Sequence, residues 1–183
     1  MGALFGVTVW IYSLDLFALP ALVFVWSAVV AAVIDLEHRI IPNRLTLRLP
    51  LVLLPLLVLA AAVDGDWHGL TRALIAAIAI PGFMFALSEL FRLVRGKQGI
   101  GMGDVKFAIS IGLVVGYLGG WHLVVFAYAT IISALGIVVA LMLARRANLA
   151  TRIPFGPYLA VGALVAILGG DLAAMFVQRL LGF

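Results

Sequence analysis

Long apolar runs alternate with short polar segments along the whole chain. A helix needs about 20 apolar residues to cross a hydrocarbon core, and six runs approach that length. The runs are continuous rather than alternating, which favours helices over the strands of a membrane barrel. The pattern predicts an all-α polytopic membrane helix bundle with about six transmembrane helices, near residues 16–35, 47–63, 73–91, 104–119, 123–144 and 157–168. Pro42 lacks an N–H and restricts Ile41, so we expect the chain to break there, between the first two helices.

The two ends of the chain are less clearly patterned. Residues 1–14 are apolar but too short to cross a bilayer, and residues 172–183 either extend the last helix or lie at the membrane interface. No long linker or low-complexity tract divides the chain. We therefore expect one membrane-embedded domain over residues 1–183.

Composition supports a lipid environment and excludes several classes of site. The 183 residues are 66% hydrophobic and 11% charged, too apolar for a domain with a water-facing surface. The absence of cysteine excludes disulfides, a thiol nucleophile and cysteine-based metal sites. The net charge of +4 comes from basic residues that lie between the apolar runs, so membrane topology explains it better than nucleic-acid binding. We expect the lipid bilayer as a partner and no nucleic acid.

Charged residues separate by side of the predicted bundle. Acidic residues and few basic ones fall on one side, at Asp15, Asp64, Asp66, Arg72, Asp171 and Arg179. The other side carries Arg39, Arg44, Arg48, Arg92, Arg95, Lys97, Lys106, Arg145, Arg146 and Arg152. The positive-inside rule makes the basic side cytoplasmic and places the N-terminus outside. No basic residue precedes Arg39, so no signal peptide is predicted.

Two aspartates fall together at the predicted cytoplasmic edge. Asp35 ends the first predicted helix and Asp104 begins the fourth, so these helices run antiparallel. Small residues recur at helical spacing behind each acid: Ser27, Ala28, Ala31 and Ala32 in the first helix, and Ala108, Gly112, Gly116 and Gly120 in the fourth. Faces of small residues let membrane helices approach closely. We expect these two faces to pack together and bring the carboxylates side by side.

Each aspartate also has a simpler interpretation. Asp104 follows Gly103 and would serve as a helix N-cap, and Asp35 would form an i to i+4 ion pair with Arg39. Ionisable groups at the border of membrane spans are costly and mark functional sites. An alternative function of the same pair is a proton or cation relay in a small transporter.

Three segments resemble the type IV prepilin peptidases, members of the GxGD aspartyl protease family. They are IDLEHRIIPN at residues 34–43, GIGMGDVK at 99–106 and RIPFGPYLA at 152–160. The resemblance implies that Asp35 and Asp104 are catalytic. It also implies an inner-membrane endopeptidase that cleaves the basic leader of type IV prepilins or pseudopilins at the cytoplasmic face.

The resemblance has one departure. Bifunctional members carry an N-terminal domain with paired-cysteine zinc motifs and methylate the new N-terminus. This chain has neither, so it is similar to a short form. The pattern names neither the pilin nor the oligomeric state.

The implied mechanism needs water and no metal or other cofactor. Two close carboxylates do not both ionise cheaply, so one activates water while the protonated partner stabilises the oxyanion. Helix dipoles favour Asp104, at a helix N-terminus, as the base and Asp35, at a C-terminal end, as the acid.

Five further residues are predicted to contact the substrate. Gly101 and Gly103 would turn the backbone tightly beside Asp104, because glycine adopts conformations that other residues resist. Glu37 and Glu89 are the other acids on the basic side and would meet a basic leader, unless they pair with arginines. Lys106 would orient Asp104 or the substrate, or else reach the lipid headgroups.

Overall fold

Seven α-helices make up the described part of the computed structural model, which covers residues 2–12, 15–96, 99–143 and 154–181. These residues contain no strand, which confirms the all-α prediction. The helices are α1 (Gly2–Ile11), α2 (Ala18–His38), α3 (Asn43–Asp64), α4 (Trp67–Arg95), α5 (Met102–Leu118), α6 (Gly120–Leu143) and α7 (Gly156–Leu181).

Membrane-spanning length is reached by five of these helices. Within the described ranges, α2, α3, α4, α6 and α7 are long and apolar enough to cross a bilayer. Helix α5 has 17 residues, about 26 Å of helix, and most of its side chains are buried inside the bundle. Large apolar side chains such as Ile78, Leu51 and Phe83 lie exposed on the outer surface, where lipid would cover them. The arrangement agrees with about six membrane helices.

The ends of the chain form helices as well. Helix α1 is too short to span and packs against α2 and α7. Just after it, the Tyr12 hydroxyl donates to the Ile167 carbonyl of α7 at 2.7 Å. Helix α7 continues to Leu181, so the C-terminal segment extends the last helix, one of the two arrangements expected from the sequence.

The predicted break at Pro42 is present. Helix α2 ends at His38, and Arg39 takes a left-handed conformation with φ of 55°. Pro42 is the N-cap of α3, as expected for a residue with a fixed φ and no N–H. Helix α3 then runs without interruption through Pro50 and Pro55.

Helix α5 does not use its small residues to contact α2, so that prediction was wrong. Its glycines face α4: a Cβ added at Gly112 would lie 2.6 Å from the Ala76 backbone, and one at Gly116 would lie 2.6 Å from the Ala76 Cβ. Helix α4 has its own small face, including Ala73 and Ala77, both buried. Close packing of backbones therefore joins α5 to α4 rather than to α2.

Aromatic pairs join α2 and α5 instead. Phe24 stacks on Phe107 with ring centroids 6.0 Å apart, and Phe17 stacks on Tyr117 at 5.2 Å. Phe17 precedes α2 and Tyr117 lies near the end of α5, so the two helices are antiparallel as predicted. This packing places the C-terminal end of α2 beside the N-terminal end of α5.

Charge divides the two ends of the bundle as expected for the described residues. The end formed by the start of α3 and of α5 carries Arg39, Arg44, Arg48, Arg92 and Lys106, and the opposite end carries Asp15, Asp64, Asp66, Arg72 and Asp171. Four more residues predicted on the basic side lie outside the described residues: Lys97, Arg145, Arg146 and Arg152.

Candidate active site

Asp35 and Asp104 line one pocket at the basic end of the bundle. The pocket has a volume of about 370 Å³, and both aspartates are almost fully buried. The two carboxylates lie close enough for their charges to interact. The residues that line the pocket are Asp35, Arg39, Ile40, Ile41, Asn43, Gly101, Met102, Gly103, Asp104 and Lys106. The structure thus brings the two predicted acids into one site.

Asp104 lies in the first turn of α5 but is not its N-cap. The N-cap is Gly101, and Asp104 is the third helical residue. Its carboxylate reaches back to accept from the Gly101 N–H, which is half of a capping box, because the N-cap glycine has no side chain to return the bond. The simple N-cap interpretation of Asp104 was therefore wrong, although the side chain does accept from the helix start.

Asp35 is held by a donor that the sequence analysis missed. The N–H of Gly156, the first residue of α7, donates to Asp35 Oδ2 at 2.9 Å, and the bond is buried. The signal was the glycine between Pro154 and Pro157, because prolines near a helix start often mark its first turn. Both carboxylates thus accept from the N-terminus of a helix, so helix dipoles do not separate the base from the acid.

The glycines of the site provide space rather than unusual backbone angles. Gly101 has φ of −68° and ψ of 140°, which any residue adopts. A Cβ at Gly103 would lie 3.3 Å from the Ile41 carbonyl oxygen, and one at Gly156 would lie 2.7 Å from Asp35 Oδ2. The expected conformational role of Gly101 and Gly103 is therefore corrected. Gly103 lets the Ile41 backbone approach closely, and at Gly101 a Cβ would lie 3.0 Å from Asp104 Oδ2.

The loop that leads into α5 is fixed to α4 by a side chain that the sequence did not indicate. Ser88 Oγ donates to the Ile100 carbonyl at 3.1 Å and lies 3.4 Å from the Ile100 nitrogen as its acceptor. Ser88 is buried in the described structure. This pair of hydrogen bonds fixes the backbone directly before Gly101 and hence the start of α5.

Comparison of the chain with known proteins identifies its family. The model of the type IV leader peptidase family matches residues 22–145, which include both aspartates. The chain belongs to the type IV leader peptidase family. This membership confirms the resemblance carried by the segments at residues 34–43 and 99–106.

Three relatives of this leader peptidase family member are named prepilin leader peptidase/N-methyltransferase. Those of Stutzerimonas stutzeri and Pseudomonas putida are each 33% identical, over 97% of this chain and 59% of their own length. That of Bacillus subtilis (strain 168) is 32% identical over 99% of this chain and 65% of its length. The chain thus spans about three fifths of the relatives' length. No solved structure matched it.

The other predicted substrate contacts of this leader peptidase family member divide into two groups. Lys106 lines the pocket, where its Nζ donates to Asn43 Oδ1 at 2.8 Å. Glu37 lies exposed beside His38 at 3.9 Å, and Glu89 binds the Arg92 guanidinium at 2.6 Å. Neither glutamate is among the residues that line the pocket. Contact of these three side chains with a substrate stays a prediction.

Proposed function

We propose that the chain is a membrane aspartic endopeptidase that cleaves the leader of type IV prepilins or prepilin-like proteins. The observation that carries the proposal is the pair of buried aspartates in one pocket of a type IV leader peptidase family member. The relatives' name supplies the substrate class. Family membership favours proteolysis over the alternative of an ion relay.

The proposed reaction uses the two carboxylates as an acid and a base. One carboxylate, ionised, removes a proton from a water molecule that attacks the scissile carbonyl carbon. The other, protonated, donates to the carbonyl oxygen and stabilises the negative charge that develops there. The proton taken from water then passes from the first carboxyl group to the leaving amine nitrogen as the C–N bond breaks. The second carboxylate regains its proton from the hydroxyl of the intermediate as the new carboxyl group forms. We assign the roles to the pair and not to single residues, because such a pair titrates as a unit.

Main-chain N–H groups beside the pocket orient the two carboxylates. Gly156 N–H binds one oxygen of Asp35, which leaves the other oxygen of that carboxylate for water or substrate. The Asp104 carboxylate reaches back to the Gly101 N–H in the first turn of its own helix. Each acid is therefore oriented by a main-chain donor, which costs little rearrangement during the reaction.

The proposed location is the cytoplasmic face of the inner membrane. The pocket lies at the end of the bundle that carries the described basic residues, and positive residues favour the cytoplasmic side. In this orientation the N-terminus faces outward. Glu37, which is exposed, and Glu89, which is half-buried and bound by Arg92, are acidic residues at this end of the bundle that would attract a basic leader.

The test is cleavage of a prepilin by the purified protein in detergent or liposomes. Asp35→Asn and Asp104→Asn should each lower kcat by about 10²-fold or more, because each removes a group that transfers a proton. Asp64→Asn, at the opposite end of α3 and exposed, is the matched control and should cleave normally. Cleavage by a folded Asp35→Asn or Asp104→Asn protein at the wild-type rate would refute the proposal.

A further inference from the structure

A second cavity opens on the outer surface of the bundle between α4 and α6. Among the described residues these two helices do not pack against each other, although both contact α5. The cavity has a volume of about 610 Å³ and is lined almost wholly by apolar side chains. Arg72 is the one charged side chain in its described lining, and it is bound to the Tyr117 carbonyl at 3.2 Å. We call this cavity the α4–α6 groove.

The walls of the α4–α6 groove are helical faces turned toward each other. On α4 the wall includes Ile75, Ala79, Phe83 and Leu87, which recur every four residues, and on α6 it includes Leu123, Ala127 and Ile131. Phe83 and Ile131 are more than half exposed although they are large and apolar. Ala79 and Ala127 leave the middle of each wall open. This is the form of a surface that receives one further helix.

The length of the α4–α6 groove also fits a helix. The lining on α4 extends from Arg72 to Leu87, which at about 1.5 Å per residue is about 22 Å. A helix of about 15 residues covers that distance. The groove therefore follows most of the depth of a hydrocarbon core about 30 Å thick.

One end of the α4–α6 groove adjoins the catalytic pocket. Ile100 and Phe155 line the groove at this end. The next residues in the chain are Gly101, which binds the Asp104 carboxylate, and Gly156, which binds Asp35. A chain that leaves the groove at Ile100 and Phe155 thus arrives beside both carboxylates. The opposite end, at Arg72, lies far from them.

We propose that the α4–α6 groove binds an apolar helical segment of the substrate, and that this segment follows the scissile bond. This inference rests on the proposed peptidase function and adds the surface that selects the substrate. The polar leader would then lie at the basic end of the bundle, while the apolar segment after it lies between α4 and α6. The groove gives affinity through apolar burial and fixes which peptide bond reaches the aspartates.

The kinetic test fills the groove with tryptophan. Ala79→Trp and Ala127→Trp should raise KM for a substrate that carries its apolar helix by tenfold or more, with kcat changed less than about threefold. A short soluble peptide across the same bond should be cleaved as by the wild type. Ala62→Trp, on the exposed surface of α3 outside the groove lining, is the control. Equal losses on both substrates would overturn the proposal.

A second measurement does not depend on cleavage. The chain has no cysteine, so single Ala79→Cys, Ala127→Cys or Ala62→Cys variants can be cross-linked to one cysteine in the substrate helix, in an Asp104→Asn background. Cross-links at the first two positions and not at Ala62→Cys are expected. Dimers of the enzyme alone, or no cross-link above that at Ala62→Cys, would identify a second copy or lipid as the occupant and refute the proposal.

The two proposals fail in different ways. If the wild type cleaves neither substrate, the proposed peptidase function fails, whatever the cross-links show. If the wild type cleaves both substrates and the tryptophan variants change neither KM, the peptidase function stands and the role of the α4–α6 groove is wrong.

Discussion

Replacing Gly156 with alanine tests how far catalysis depends on the donor that holds Asp35. The added Cβ would lie 2.7 Å from Asp35 Oδ2 and 3.0 Å from Ile41 Cδ1. Ordinary contacts of this kind begin at 3.4 Å, so the carboxylate oxygen or the start of α7 has to move by about 0.7 Å, more than the roughly 0.5 Å that catalytic geometry tolerates. The 2.9 Å hydrogen bond from the Gly156 N–H is then stretched or lost.

Two estimates of the resulting loss agree. A hydrogen bond to a charged group contributes about 1.5–3 kcal/mol, and each tenfold change in rate corresponds to about 1.4 kcal/mol. The bond alone therefore accounts for about a 10- to 100-fold loss in kcat. Misplacement of a catalytic group by about 1 Å costs about 100-fold. We expect kcat of Gly156→Ala to fall by about 10- to 100-fold on a prepilin substrate.

The assay compares kcat, KM and thermal unfolding of Gly156→Ala with those of Gly169→Ala. Both glycines lie in α7, but a Cβ at Gly169 would meet no atom within 4 Å. Alanine there should leave activity unchanged and slightly raise stability. Adding Ile41→Val to Gly156→Ala removes only the second of the two close contacts, so it should not restore kcat. A folded Gly156→Ala protein with wild-type kcat would refute the role given to this donor.

Two further predictions concern the supports of α5. Gly112→Val should lower the free energy of unfolding by about 1–3 kcal/mol or more through overpacking, because even a Cβ would lie 2.6 Å from the α4 backbone. Thermal unfolding in detergent measures this loss. Gly136→Ala is the control, because a Cβ at Gly136 would meet no atom within 4 Å. An unchanged melting temperature would contradict the packing. Ser88→Ala should lower kcat several-fold while the fold is kept, because the hydrogen bonds to Ile100 are lost. Steady-state kinetics and a circular dichroism spectrum test this prediction. Full activity would show that the loop before α5 needs no such support.

The sequence predicted the parts of this structure that depend on local physics. Apolar runs of membrane length gave the bundle, and Pro42, with a fixed φ and no N–H, marked the break between α2 and α3. Charge patterning and the antiparallel order of helices placed Asp35 and Asp104 at the same end. Each of these inferences needs only neighbouring residues and the thickness of a bilayer.

The choice of helix partners could not be predicted in the same way. The small face of α5 shows that some backbone approaches closely at Gly112 and Gly116, but it does not say which one. Helices α2 and α4 both present small faces, and α4 is the partner. The stacked rings that join α2 to α5, such as Phe24 on Phe107, follow from that choice. No sequence pattern marks these two residues as a pair.

The two catalytic candidates depend on different long-range supports. Asp104 belongs to a helix packed on α4 and fixed there by Ser88, whereas Asp35 is oriented by the first amide of α7, 121 positions later in the chain. A change at Gly156 therefore acts first on Asp35, and a change at Ser88 acts first on the start of α5 and on Asp104. Since the reaction needs both carboxylates on one water molecule, either change lowers kcat although neither removes an acid. Combining them should lose less than the sum of the two separate losses in activation free energy, because the second displacement acts on a pair that no longer works as a unit.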